Sequence, residues 1–89
     1  MEYVPESLQK LYHYKKQQRQ DLILTLKTYL EHNQNLTKTA QDLYIHYKTA
    51  VYRIERISQI TGIDFDNPNE VLSVRIGLVV CKMMENLKK

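Results

Sequence analysis

Hydrogen-bond donors and apolar side chains are combined in one segment of the chain, residues 47–56, which reads YKTAVYRIER. Lys48 can donate to guanine or to phosphate, and Val51 can contact the methyl group of thymine. The tyrosines can make either polar or apolar contacts, and Arg53 and Arg56 are better placed to contact phosphate. These residue types favour binding of nucleic acid.

A helix through this segment would divide it into a buried and an exposed face. At about 100° per residue, one narrow arc collects four residues: Ala50, Ile54, Ile57 and Thr61. The opposite arc collects Lys48, Tyr52, Glu55 and Gln59. We predict that the first arc faces the core and that the helix begins near Tyr47 and ends at Gly62, a suitable left-handed C-terminal residue.

A second helix is predicted immediately before it, from about Leu36 to Tyr44, with Asn35 as its cap. Only two or three residues separate the two helices. Such a pair, with a basic amphipathic second helix, is typical of a helix-turn-helix. Ala40 stands where the helices must approach closely, and Ile45 would fill the space beneath the turn.

The residues that we predict to contact DNA lie on both helices. Near the bases we place Tyr47, Lys48, Val51 and Tyr52, because the N-terminal end of a recognition helix reaches base edges. At phosphates we place Thr49, Arg53 and Arg56 of the helix that begins near Tyr47, together with Asn35, Thr37 and Lys38 at the start of the helix before it. Tyr52 could equally pack against a neighbouring helix, and His46 suits capping or partial burial better than a base contact.

The rest of the chain also carries helical periodicity, and no stretch alternates as a half-buried strand does. Residues 1–20 form a helical lead-in after Pro5, in which residues 15–20 are a solvated helix surface or a short break. A further helix is predicted between this lead-in and the helix-turn-helix pair. It runs from Asp21, as its N-cap, to the polar cluster at residues 32–35. The core of the helix-turn-helix spans residues 21–61, and residues 62–89 form an acidic loop and a long apolar helix that begins at Asn67. The prediction is one small all-α domain.

Several functional classes are excluded by what the sequence lacks. The three histidines and the single cysteine have no zinc-ligand spacing. The oxygen-rich residues 64–70 lack the central glycine and the distal glutamate of a calcium loop. Motifs for phosphate binding or for a nucleophile are missing as well. We therefore expect neither a metal, a cofactor nor an enzymatic activity.

Composition and hydropathy suggest where the protein acts and what it contacts. The chain has 89 residues, a net charge of +3 and one Cys, and its N-terminus has no apolar signal region, so we expect a cytoplasmic protein. Its richest apolar stretch, residues 71–84, is interrupted by polar residues and is too short for a membrane span. Apolar residues there cover more than one face. The helix is either central to the core, or also a homodimer interface or a docking surface for a sensory domain.

Two longer strings resemble a known family. TYLEHNQNLTKTAQDLYIH at residues 28–46 and TAVYRIERISQITG at residues 49–62 resemble the C-terminal DNA-binding domain of PucR/CdaR-type bacterial transcription regulators, whose fold is similar to that of the factor for inversion stimulation. The resemblance implies that His46 opens the recognition helix, that Thr49 binds phosphate or packs, and that Tyr52 and Arg53 are the family's Tyr-Arg pair. It also implies an upstream sensory domain in a longer parent chain.

The chain departs from the family pattern at three positions. Tyr47 and Lys48 stand where the family commonly has Arg or Pro followed by Asn, and Ala50 stands where it commonly has Leu or Val. The expected function is sequence-specific binding of duplex DNA with the recognition helix in the major groove. The alternative is a helical interaction or dimerisation module that does not bind DNA, and salt-dependent DNA binding would discriminate between the two.

Overall fold

The computed structural model describes residues 4–87, apart from the side chain of Lys16, and these residues form five α-helices and no strand. The helices are α1 (Glu6–Tyr12), α2 (Lys16–Glu31), α3 (Leu36–Leu43), α4 (Tyr47–Thr61) and α5 (Pro68–Leu87). The prediction of an all-α fold is confirmed. None of these helices has the length and hydropathy that crossing a membrane would require.

The start of α2 differs from the prediction. The helix begins at Lys16 rather than after Asp21, so Asp21 lies inside it and is no N-cap. Most of the polar run is therefore solvated helix surface, and the break is confined to residues 13–15. No side chain caps this end. Arg19 holds it instead, by donating from Nη1 to the carbonyl oxygen of Tyr12 at 2.6 Å.

The other predicted helix ends are confirmed, and each has a local cause. The Asn35 side chain accepts a hydrogen bond from the amide of Lys38 at 2.9 Å and so caps α3. Gly62 ends α4 with φ +71°, a conformation that glycine adopts without steric cost. The Asn67 side chain accepts from the amides of Asn69 and Glu70 at the start of α5.

One hydrophobic core joins α1, α2, α4 and α5. Its buried members include Val4, Leu8, Leu11, Leu22, Leu26, Ile54, Ile57, Val74 and Cys81. The short α1 contacts α2, α4 and α5 and so closes one side of the core. It approaches α5 most closely at Gly77, where an added Cβ would lie 2.8 Å from Leu8 Cδ2 and from Pro5 Cδ.

Candidate nucleic-acid interface

The α3–α4 pair has the arrangement of a helix-turn-helix. Residues 44–46 connect the two helices, and the amide of Ile45 donates to the carbonyl oxygen of Ala40 at 3.0 Å. Ala40 itself is buried, as close packing of the two helices requires. Tyr44 makes the chain reversal with φ +55° and ψ +41°, in the left-handed region.

The two faces predicted for α4 are present in the structure. All four residues of the inward arc, Ala50, Ile54, Ile57 and Thr61, are buried. On the opposite side Lys48 is exposed and Tyr52 is 63% exposed, and Tyr47, the first residue of the helix, is 53% exposed. Thr49 and Val51 are half-buried. The first two turns of α4 therefore present a lysine amine and two phenol rings to solvent, held by an anchored inner face.

The N-terminus of α3 adds a second group of predicted contacts. Thr37 and Lys38 are exposed. The Asn35 Oδ1 is used by its cap on the Lys38 amide, its N–H donates to the carbonyl oxygen of His32, and its own carbonyl oxygen accepts from Thr39. The neighbouring exposed side chains of Thr37 and Lys38 are left for a ligand. The positive end of the helix dipole favours an anion here.

Arg53 and Arg56, predicted at phosphates, have partners inside the molecule. Arg53 Nη1 donates to Thr25 Oγ1 on α2 at 3.3 Å. Arg56 Nη2 donates to the Tyr14 hydroxyl at 2.6 Å, and its guanidinium carbon lies 5.6 Å from the centroid of the Tyr14 ring. Arg56 Nη1 also donates to Gln59 Oε1 at 3.2 Å. A guanidinium has five N–H donors, so these contacts orient the two arginines and leave donors for a phosphate.

Two residues in the turn before α4 have environments that the sequence did not predict. His46 occupies the N-cap position, but it is exposed and its side chain makes no capping hydrogen bond. Tyr44 is 95% exposed, and the sequence analysis did not select it. The place of Tyr44 in the sequence gave one indication of this exposure. A tight turn between two helices uses a residue in the left-handed region, and a bulky side chain at that residue is expected to point away from the core.

Within residues 4–87 no group of three or more His, Cys, Asp or Glu side chains is placed to hold a metal. His32 Nε2 lies 2.9 Å from Asp42 Oδ2, which joins the end of α2 to α3. A groove of about 1020 Å³ lies between α2 and α5, away from α4, with Ile23, Leu30 and Leu78 among its lining residues.

Comparison with known proteins supports the assignment of α3 and α4 to a helix-turn-helix. The PucR C-terminal helix-turn-helix domain family matches residues 22–80, which run from α2 into α5. The purine catabolism regulatory protein of Bacillus subtilis is 34% identical over 64 residues, covering 72% of this chain and 12% of that protein. The DNA-binding transcriptional activator AdeR of the same organism is 33% identical over 72 residues, covering 81% of this chain and 17% of that protein.

A third relative, the carbohydrate diacid regulator of Escherichia coli, is 37% identical over 54 residues, covering 61% of this chain and 14% of that protein. No solved structure matches. The chain thus spans between 12% and 17% of the length of these three relatives. Its fold, its exposed α4 face and the family match all indicate a helix-turn-helix of DNA-binding transcription regulation, and not an enzyme. The chain belongs to the PucR C-terminal helix-turn-helix domain family.

Proposed function

We propose that this domain binds duplex DNA sequence-specifically, with α4 in the major groove, as the C-terminal effector part of a PucR/CdaR-like transcription regulator. One observation supports this reading above the others. The first two turns of α4 expose Tyr47, Lys48 and Tyr52, while the inward side of the same helix is buried. A helix anchored in this way can enter a groove without losing its place in the core.

The contacts divide by the part of DNA that they reach. Tyr47, Lys48, Val51 and Tyr52 are assigned to base edges, where donors and apolar groups read sequence. The phosphate contacts are assigned to Thr49, Arg53, Arg56, Asn35, Thr37 and Lys38, which set the position of the helix on the duplex. Arg53 and Arg56 fit that role because α2 and the α1–α2 break already fix their orientation.

The length of the relatives supports a proposal about the wider setting of the domain. Their greater length supports a parent chain in which a sensory domain precedes this one and responds to a small metabolite. Two copies on one operator, joined through the C-terminal helix, would place their recognition helices about one DNA turn apart, roughly 34–36 Å. Such a regulator would act in the bacterial cytoplasm.

The proposal is tested by lysines that differ in their assigned contact. A preferred duplex is first selected from a random pool, and fluorescence anisotropy then measures affinity at several salt concentrations. Lys48→Ala should cost about 1–3 kcal/mol on the preferred duplex and much less on a random one. Lys38→Ala should weaken binding to both equally and lower the salt slope by about one. Lys10→Ala, an exposed change on α1, is the matched control and should alter neither.

The rival function is a helical interaction module that does not bind DNA. The apolar outer side of α5 is the observation that favours it. Failure of the parent chain to bind any duplex at low salt would decide for this rival. Equal effects of Lys48→Ala on preferred and random duplexes would leave DNA binding intact but remove the base contact of Lys48.

A further inference from the structure

The long C-terminal helix carries an exposed apolar stripe. Leu72, Ile76, Val79 and Met83 are each between 50% and 60% exposed. Their spacing is four, three and four residues, so at about 100° per residue they fall in one narrow line. The buried residues of the same helix, Val74, Gly77 and Cys81, fall on the other side. We call the four exposed residues the α5 stripe.

The spacing of the α5 stripe specifies the kind of element that can cover it. Apolar residues alternating at intervals of three and four are the seam of a coiled coil, in which each side chain packs between four residues of a facing helix. Among the helices of residues 4–87, α5 contacts α1 and α2, and these contacts leave all four stripe residues at least half exposed. The occupant should therefore be a helix that lies outside residues 4–87 of this copy.

We propose that this occupant is the α5 helix of a second copy of the chain, aligned in parallel with the first. An interface about a two-fold axis brings a surface against itself, and the α5 stripe contains no charge that would be buried in doing so. The proposal deepens the dimer of the proposed function by specifying its surface and orientation, and it does not depend on DNA binding, because the two helices can associate without a duplex.

The charges beside the stripe select the parallel orientation. Arg75 and Lys82 lie along one flank, and Ser73 and Val80 lie along the other. In an antiparallel pair the same flanks of both helices meet, so the cations of one copy would face those of the other. In a parallel pair each flank meets the opposite one, and Arg75 and Lys82 face neutral side chains. Arg75 is fixed on its flank by donating to the carbonyl oxygen of Leu30 at 2.6 Å.

The available area indicates a weak dimer. Leu24 on α2 is also half-exposed and lines the groove with Val79 and Met83, which extends the surface beyond the stripe. The five half-exposed side chains offer on the order of 300 Å² of apolar area per copy, whereas a standard interface buries about 800 Å² per partner. Dissociation constants of about ten micromolar or weaker are expected.

Disulfide cross-linking tests both the surface and the orientation. Each variant of the full chain carries one new cysteine in a Cys81→Ala background, since Cys81 is the single native cysteine. Val79→Cys should cross-link to itself, because a parallel seam brings equivalent positions together. A mixture of Ile76→Cys and Val79→Cys should give mainly the two self-linked products. Glu55→Cys, on the exposed side of α4, is the control and should stay unlinked.

Sedimentation across a concentration series, without DNA, provides the second measurement. Val79→Asp should make the chain monomeric at all concentrations and leave its thermal melting by circular dichroism close to that of the parent, because Val79 is not part of the core. A strictly monomeric parent would overturn the proposal. Predominant Ile76–Val79 products would overturn the parallel orientation, and cross-linking of Glu55→Cys to the same extent would overturn the assigned surface. None of these outcomes depends on DNA binding.

Discussion

Tyr44 combines an unfavourable backbone conformation with an almost fully exposed side chain. The left-handed region costs a residue with a Cβ about 1–2 kcal/mol, and Tyr44 recovers little of that by burial. Tyr44→Gly should therefore stabilise the domain by about 0.5–1 kcal/mol, after the greater entropy of glycine in the unfolded chain is subtracted. Urea denaturation monitored by circular dichroism measures this difference.

Gln34 offers a matched comparison for that prediction. It too has a positive φ, +65°, but its side chain donates to the carbonyl oxygen of Phe65 at 3.1 Å. Gln34→Gly removes that hydrogen bond and should gain less than Tyr44→Gly. A loss of stability in Tyr44→Gly would mean that its side chain makes a contact that its exposure does not reveal.

Arg56 connects α4 to the break between α1 and α2, so its replacement should have two separate effects. Arg56→Ala removes the hydrogen bond and the cation–π contact with Tyr14, which together should cost about 1–2 kcal/mol of stability. It should also weaken DNA binding equally on all sequences and lower the salt slope by about one. Denaturation and anisotropy titrations measure the two effects.

Tyr14→Phe separates these effects, because it removes only the hydroxyl that accepts from Arg56. This variant should lose part of the stability and keep the salt slope of the parent. An unchanged salt slope in Arg56→Ala would show that Arg56 is a structural residue of α4 and not a phosphate contact.

At the scale of the helices, the inward face of α4 determines whether the domain folds. Ile54 is buried between α4 and its neighbours, so Ile54→Asp places an unpaired carboxylate there, at a cost of several kcal/mol in a marginally stable fold. The variant should lose its cooperative helical melting. Gln59→Asp on the exposed side of the same helix is the control, and a normal melt for Ile54→Asp would contradict the assigned face.

The crossing of α1 and α5 depends on the missing side chain of Gly77. Alanine favours a helix interior by about 1 kcal/mol over glycine, but its Cβ would lie 2.8 Å from both Leu8 Cδ2 and Pro5 Cδ. Overpacking of this kind costs about 1–3 kcal/mol. Gly77→Ala should therefore destabilise the domain by about 1 kcal/mol in urea denaturation, whereas Ser73→Ala on the exposed side of α5 should be neutral or slightly stabilising.

Elements whose signals are local could be predicted from the sequence. Asn35, Gly62 and Asn67 mark helix ends by their own chemistry, and the buried arc of α4 follows from periodicity alone. The start of α2 could not be predicted, because its first turn has no apolar residue and no cap. The partners of Arg53 and Arg56 come from residues 28 and 42 positions away in the chain, and a helical projection carries no information about such distant contacts.

At the scale of the whole molecule, three ionisable side chains whose pKa values are raised by burial make the free energy of unfolding depend on pH in the alkaline range. Burial raises the pKa of Cys81 above its ordinary 9.0 and the pKa values of Tyr12 and Tyr29 above their ordinary 10.0. The folded state then keeps protons that the unfolded chain releases, so the free energy of unfolding should fall as pH rises above about 9 and be unaffected by these groups below it.

Urea denaturation at a series of pH values measures this dependence. Tyr12→Phe removes one of the three groups, so its stability should decline less steeply than that of the parent above pH 10. A parallel decline in the two proteins would assign the effect to other residues.

The close fit of α1 over the core limits how this domain can be moved between proteins. The family match begins at residue 22, whereas the buried core residues described before it include Val4, Leu8 and Leu11. A gene fusion cut at residue 22 would leave the inner sides of α4 and α5 open to water and would remove Tyr14, the partner of Arg56. Transfer of this helix-turn-helix domain to another protein should therefore succeed only when residues 4–21 travel with it, so the transferable unit is longer than the segment by which the family is recognised.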